Sequence, residues 1–209
     1  MTLQGALPAL EQAGMDELYC PVRDGRFASG FTLGQDWIHA VAQAASVPSY
    51  VHLLAKDADR YTALFDPGKV HGLIVPVEGC VHIHRALTAI RDAGFSPGLS
   101  INPGTSLGAV DYLLEYIDRL VVFSTEPGYD TPVSSTAERI EILAENIRHR
   151  RLKIALVATG VYEPQDGARY AAAGANGIVI EQSDGLRQSD PGDWLRRFTR
   201  AVESKRRVI

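Results

Sequence analysis

A single α/β domain of the (β/α)8 TIM-barrel type, spanning residues 1–209, is the fold this sequence predicts. Three observations carry the prediction. Short β-branched or apolar runs alternate with longer helical patterns. The runs are apolar on both faces, as in a parallel sheet covered by helices, and almost every run ends in a loop of Asp, Gly, Ser, Thr or Asn. An open doubly wound sheet is the alternative. The barrel is preferred because no G-x-G-x-x-G follows the first strand, and because a barrel spreads its site over all such loops.

The elements follow in order. A helix at about 6–14 ends in EQAG and precedes the strand ELYCPV (17–22). The further strands are YVHLLA (50–55), HGLIVPV (71–77), GLSIN (98–102), RLVVFS (119–124), KIALVA (153–158) and NGIVIE (176–181). Helical patterns fill the intervals at 35–46, 57–65, 81–93, 107–117, 136–150, 164–173 and 190–205. The glycines of EQAG, RDAG and AAAG stand where a helix stops just before a strand, which is C-cap chemistry. This count gives seven strands. The first barrel strand is then the stub MTLQ, is missing from the chain, or is supplied by another element. A missing strand would expose the edges of its neighbours, and a homodimer covering them is the hypothesis this raises.

Composition narrows the function classes. A net charge of −4 and a pI near 5.9 leave no basic footprint for nucleic acid or an anionic membrane, and the tail SKRRVI reads as a solvated helix end. Cys20 and Cys80 lie in different elements without metal-ligand spacing, so neither a disulfide framework nor a zinc site is suggested. The N-terminus has no signal-peptide pattern and no apolar run is long enough to span a bilayer. A cytoplasmic protein acting on a small molecule is the expectation.

Four stretches, in this order, resemble the ribulose-phosphate 3-epimerase family: RDGRFASGFTLG (23–34), VHL (51–53), GLSINPGTSL (98–107) and FSTEPGYD (123–130), with AGANGIVIE (173–181) leading to the family's last phosphate loop. The resemblance implies a ribulose-phosphate-binding barrel. It also implies a divalent metal held by two histidines and two aspartates, the aspartates serving as acid and base. Those positions fall on Tyr19, Pro21, His52 and Ala158, so only His52 retains its ligand type. Pocket methionines correspond to Arg23, Leu54 and Phe123, a Gly-Gly to Thr159-Gly160, and a closing Gly-Ser to Glu181-Gln182.

Proline and alanine can serve in neither proton role, and one histidine cannot hold a catalytic divalent ion. No metal and no cofactor is therefore expected. The reading is a divergent, metal-independent isomerase or epimerase acting on a small sugar-like or carboxylated metabolite; the alternative is a catalytically inactive barrel that binds a metabolite or partner. His52, Glu126 and Glu181 are the candidate proton-transfer groups and Arg23 the electrostatic clamp. Tyr19, Asp24, Ser100, Asn102, Gly128, Tyr129, Thr159, Gly160 and Gln182 are the candidate ligand contacts. For several the structural role is as good: Asp24 as a turn residue, His52 as a bonded core histidine, and Glu126 and Glu78 as loop-fixing carboxylates. An enzyme requires Arg23, His52 and a carboxylate to converge, and fails if Phe123 and Tyr19 fill the pocket.

Overall fold

In a computed structural model describing residues 3–32, 34–129, 131–181 and 190–206, seven strands form one parallel sheet in sequence order. They are β1 (Leu18–Arg23), β2 (Ser49–Leu54), β3 (Gly72–Pro76), β4 (Ser96–Ile101), β5 (Arg119–Phe123), β6 (Ala155–Val161) and β7 (Gly177–Ile180). Helices α1 (Leu3–Gln12), α2 (Gln35–Ala44), α3 (Ile83–Asp92), α4 (Thr136–His149), α5 (Pro164–Ala172) and α6 (Pro191–Arg206) accompany them. Each expected strand is present within a few residues. Gly14, Gly94 and Gly174 all have left-handed φ, and each ends its helix by donating its N–H back to the last turn.

Two expected helices are shorter and tighter. Ala58–Leu64, and Leu107–Ala109 with Asp111–Tyr116, are 3-10 turns closed by bonds such as Arg60 N–H to the Asp57 carbonyl. Gly108 and the β-branched Val110 interrupt the second segment, and the first starts from Asp57 in a left-handed conformation.

Alternation along the strands makes two layers. Val51, Leu53, Leu73, Val75, Leu99, Leu120, Val122 and Leu156 join the large cluster with helix residues such as Ile38, Leu87, Ile140 and Tyr170. On the inner face Tyr50, Ile74, Val121 and Val157 fill the barrel. Gly98 makes room for this layer, since a Cβ there would lie 2.6 Å from Ile74 Cγ1. Below it, Arg119 places its guanidinium carbon 3.7 Å from the Tyr50 ring centroid and donates to Glu17 Oε1 at 2.6 Å. A cation both stacked and paired closes the floor of the barrel.

The sheet does not close among the described residues. β1 pairs only with β2, and β7 only with β6. Leu3 and Gln4 open α1, so that part of the stub MTLQ is helix; Met1 and Thr2 lie outside the described residues. Between β1 and β7 a cavity of about 1210 Å³ runs inward from Leu7, Leu10, Trp194 and Phe198 to Tyr19 and Glu181. Its outer wall is α1 against α6, which meet where Gly192 approaches the Ala9 carbonyl. No described helix is long and apolar enough to cross a membrane.

Candidate functional site

The carboxyl ends of the strands bring several of the expected residues into one hydrogen-bonded row. Inward alternation places Tyr19, Pro21 and Arg23 on β1 in register with Tyr50, His52 and Leu54 on β2. Further round the barrel it places Ser100, Phe123 and Thr159 on β4, β5 and β6, and Glu181 follows β7. His52 is completely buried. Its Nδ1 bonds the Tyr19 hydroxyl and its Nε2 lies 2.7 Å from Ser100 Oγ. The Phe123 ring tilts over it at 5.4 Å between centroids. Burial pushes the imidazole down to about 3, so it is neutral at physiological pH.

A second bonded group lies beside this row. Thr159, also fully buried, donates its hydroxyl to Glu181 Oε1 at 2.5 Å. The Gly160 N–H donates to the same oxygen at 3.1 Å, and the Tyr162 hydroxyl reaches Oε2 at 3.5 Å. Burial of its hydroxyl, and then the charge of Glu181, raise the Tyr19 phenol strongly although the ring is only half-buried; Arg23 acts in the opposite direction.

The proton directions follow from valence. A carboxylate only accepts, so Thr159 gives its one proton to Glu181. A neutral imidazole has one N–H and one bare nitrogen, so His52 donates to one of its two hydroxyl partners, Tyr19 and Ser100, and accepts from the other.

Other candidates stand apart from this row. Asp24 Oδ1 accepts the N–H groups of Arg26 and Phe27, and Oδ2 that of Lys56. Burial alone would raise its carboxyl, but these backbone donors outweigh it and the net shift is downward. Asp24 thus folds its loop and ties it to the end of β2. Glu78 Oε1 accepts from the Asn102 N–H and the Thr105 hydroxyl, which fixes the loop after β4 and leaves Asn102 Oδ1 buried without a partner. Glu126 is exposed, and its carbonyl closes a turn with the Tyr129 N–H. Its carboxylate makes no hydrogen bond to the row among the described residues. Arg23 has its Nε buried and unpartnered, while its backbone N–H donates to Thr32 Oγ1 at 2.9 Å.

The loop after β1 covers the mouth. Ala28, with Phe27 beside it, packs on Leu54 and Phe123 directly above His52. Gly128 (φ 95°) abuts Ser29, so the loop after β5 leans on the first loop and a side chain at 128 would strike it. Exposed Tyr129 lies beyond this contact. Ala28 and Tyr162 are site residues that sequence reasoning missed, because small and aromatic loop residues carry no spacing signal. Ala158 also departs from expectation. With Val157 and Thr159 facing inward it lies on the opposite face, in register with Val122, so that position looks toward the helices. Gln182 lies outside the described residues.

Residues 1–183 match the model of the ribulose-phosphate 3 epimerase family. The ribulose-phosphate 3-epimerase of Aquifex aeolicus is 30% identical over 176 residues, covering 83% of this chain and 79% of the relative. That of Rhodobacter capsulatus is 31% identical over 175 residues, covering 83% and 75%. Among solved structures, tryptophan synthase of Mycobacterium tuberculosis superposes with a TM-score of 0.68 at 16% identity, over 98% of this chain and 86% of that one. At that identity it shows a shared fold alone.

Proposed function

The chain belongs to the ribulose-phosphate 3-epimerase family, and on that premise we propose that it is a family barrel that binds a small polyhydroxylated metabolite without catalysing metal-dependent epimerisation. One observation carries the reading. His52, the one residue matching the family's metal ligands, has both ring nitrogens engaged, lies fully buried beneath Phe123, and is neutral. A ligand or proton carrier needs a free nitrogen and access to the reacting atom.

The donor set does not fit the metal that the resemblance implies. Tyr19 would have to ionise against burial, Pro21 has no donor, and Ala158 has none and faces away. Among the described residues no three His, Cys, Asp or Glu side chains cluster to hold an ion. What remains for a ligand is the end of the cavity lined by Tyr19 and Glu181. Ribulose 5-phosphate should show no turnover above buffer with added Co²⁺, Mn²⁺, Zn²⁺ or Fe²⁺. Turnover that a chelator abolishes would overturn the proposal.

A second reading rests on Glu181 and Tyr19, a carboxylate and a phenol that both line the cavity. It is a metal-free isomerase with Glu181 as the base. Solvent deuterium entering a carbon-bound position of a sugar, and lost in Glu181→Gln, would favour it over simple binding.

A further inference from the structure

We propose that Glu181 acts as a built-in anion, filling the oxyanion-binding position at the carboxyl end of β6 and restricting this barrel to ligands that bring no phosphate there. The inference rests on the binding reading above and specifies its ligand class. Glu181 Oε1 takes two converging donors, the Thr159 hydroxyl at 2.5 Å and the Gly160 N–H at 3.1 Å. The Tyr162 hydroxyl lies at 3.5 Å from Oε2. Neutral, fixed donors around an anionic oxygen are how proteins hold oxyanions, whether the oxygen belongs to a ligand or to the chain.

The cradle is built rather than incidental. Gly160 has φ 78°, a conformation that turns its N–H toward Glu181 and suits glycine. The peptide that carries this N–H is held at its other end, where the Thr159 carbonyl accepts the Ser124 N–H at 3.0 Å, and the Gly160 carbonyl accepts the Ser124 hydroxyl at 2.8 Å. A Cβ on Gly160 would lie 2.7 Å from Ser124 Oγ and 3.0 Å from Thr125 Oγ1, which shows how closely the surrounding strands approach it. Thr159 itself is fully buried. No Lys or Arg among the described residues forms an ion pair with Glu181, so the groups bonded to its carboxylate there are neutral dipoles.

Two consequences follow. An external phosphate meets occupied donors and a like charge in a partly buried setting, where repulsion is poorly screened. Glu181 Oε2 meanwhile takes, among the described residues, a long contact from Tyr162 and can accept a hydrogen bond from a ligand hydroxyl at the cavity edge. The ligand is therefore one that brings a hydroxyl and no phosphate to this position, and Glu181 is the residue that determines it.

The test titrates inorganic phosphate against wild type, Glu181→Ala and Glu181→Ser, reading the melting temperature and the Gly160 amide resonance. Wild type should show neither effect at about 10 mM phosphate, whereas Glu181→Ala should gain a few degrees and a downfield Gly160 shift as phosphate takes the vacated donors. If the alanine variant does not fold, Glu181→Ser, which is too short to reach the two donors and carries no charge, must be stabilised by phosphate when wild type is not. Stabilisation of wild type by phosphate, or a folded alanine variant indifferent to it, overturns the inference. The proposed function is judged separately by ribulose 5-phosphate turnover, so either can fail without the other.

Discussion

His52 Nε2 lies 2.7 Å from Ser100 Oγ, joining the second and fourth strands across the interior. With Tyr19 on the other ring nitrogen, the imidazole bridges three strands and has no nitrogen left for a ligand.

The burial of His52 between two hydroxyls has a spectroscopic consequence. A neutral imidazole carries a single ring proton. Nitrogen-15 spectra of the imidazole should show one protonated and one bare nitrogen at neutral pH. Two protonated nitrogens would mean that the ring is charged despite its burial.

Tyr19→Phe keeps the ring and removes the hydroxyl, leaving the buried Nδ1 of His52 without its partner. Stability should fall by about 1–3 kcal/mol in urea unfolding. A neutral substitution would mean that water replaces the phenol.

Acid should expose the cost of burying His52. Its folded value, about 3, lies below the unfolded value of about 6.5, so the unfolded chain binds the extra proton. The associated stability is complete above about pH 6.5 and is lost toward pH 3, at up to roughly 1.4 kcal/mol per pH unit. His52→Asn should flatten the decline between about pH 6.5 and 4.5, above the range where carboxylates such as Asp24 titrate. An identical slope in the variant would assign the effect elsewhere.

Gly98→Ala probes the packing of the barrel interior. Its Cβ would sit 2.6 Å from Ile74 Cγ1 and 3.3 Å from the Ile74 Cα, and relief requires the strands to part. A loss of about 1–3 kcal/mol is expected, partly recovered when Ile74→Ala is combined with it. Strict additivity of the two losses would show that they do not share the space.

Glu17→Gln removes the anion paired with Arg119, whose side chain is 7% exposed while that of Glu17 is 40% exposed. Solvent around Glu17 moderates the loss to about 1–2 kcal/mol. Arg119→Lys should also destabilise, since a lysine gives up the planar stack on Tyr50. Equal stability of both variants and wild type would deny this pair its place in the barrel floor.

Strand period and glycine stops made the seven strands and their parallel order legible in the sequence, because alternation and capping are local chemistry repeated along the chain, and the family was legible from four motif stretches that resemble it. The replacements at Tyr19 and Pro21 were legible too, since a missing carboxylate is visible without coordinates. Tertiary structure alone decided that His52 is enclosed by Tyr19, Ser100 and Phe123, and that Ala158 faces the helices. It also decided that Glu126 stays in solvent, whereas Glu181 folds onto Thr159 and Gly160. The two glutamates follow the ends of β5 and β7 and look alike in sequence. What separates them is the meeting of residues from different strands, where a carboxylate settles only if fixed donors are already aimed at it.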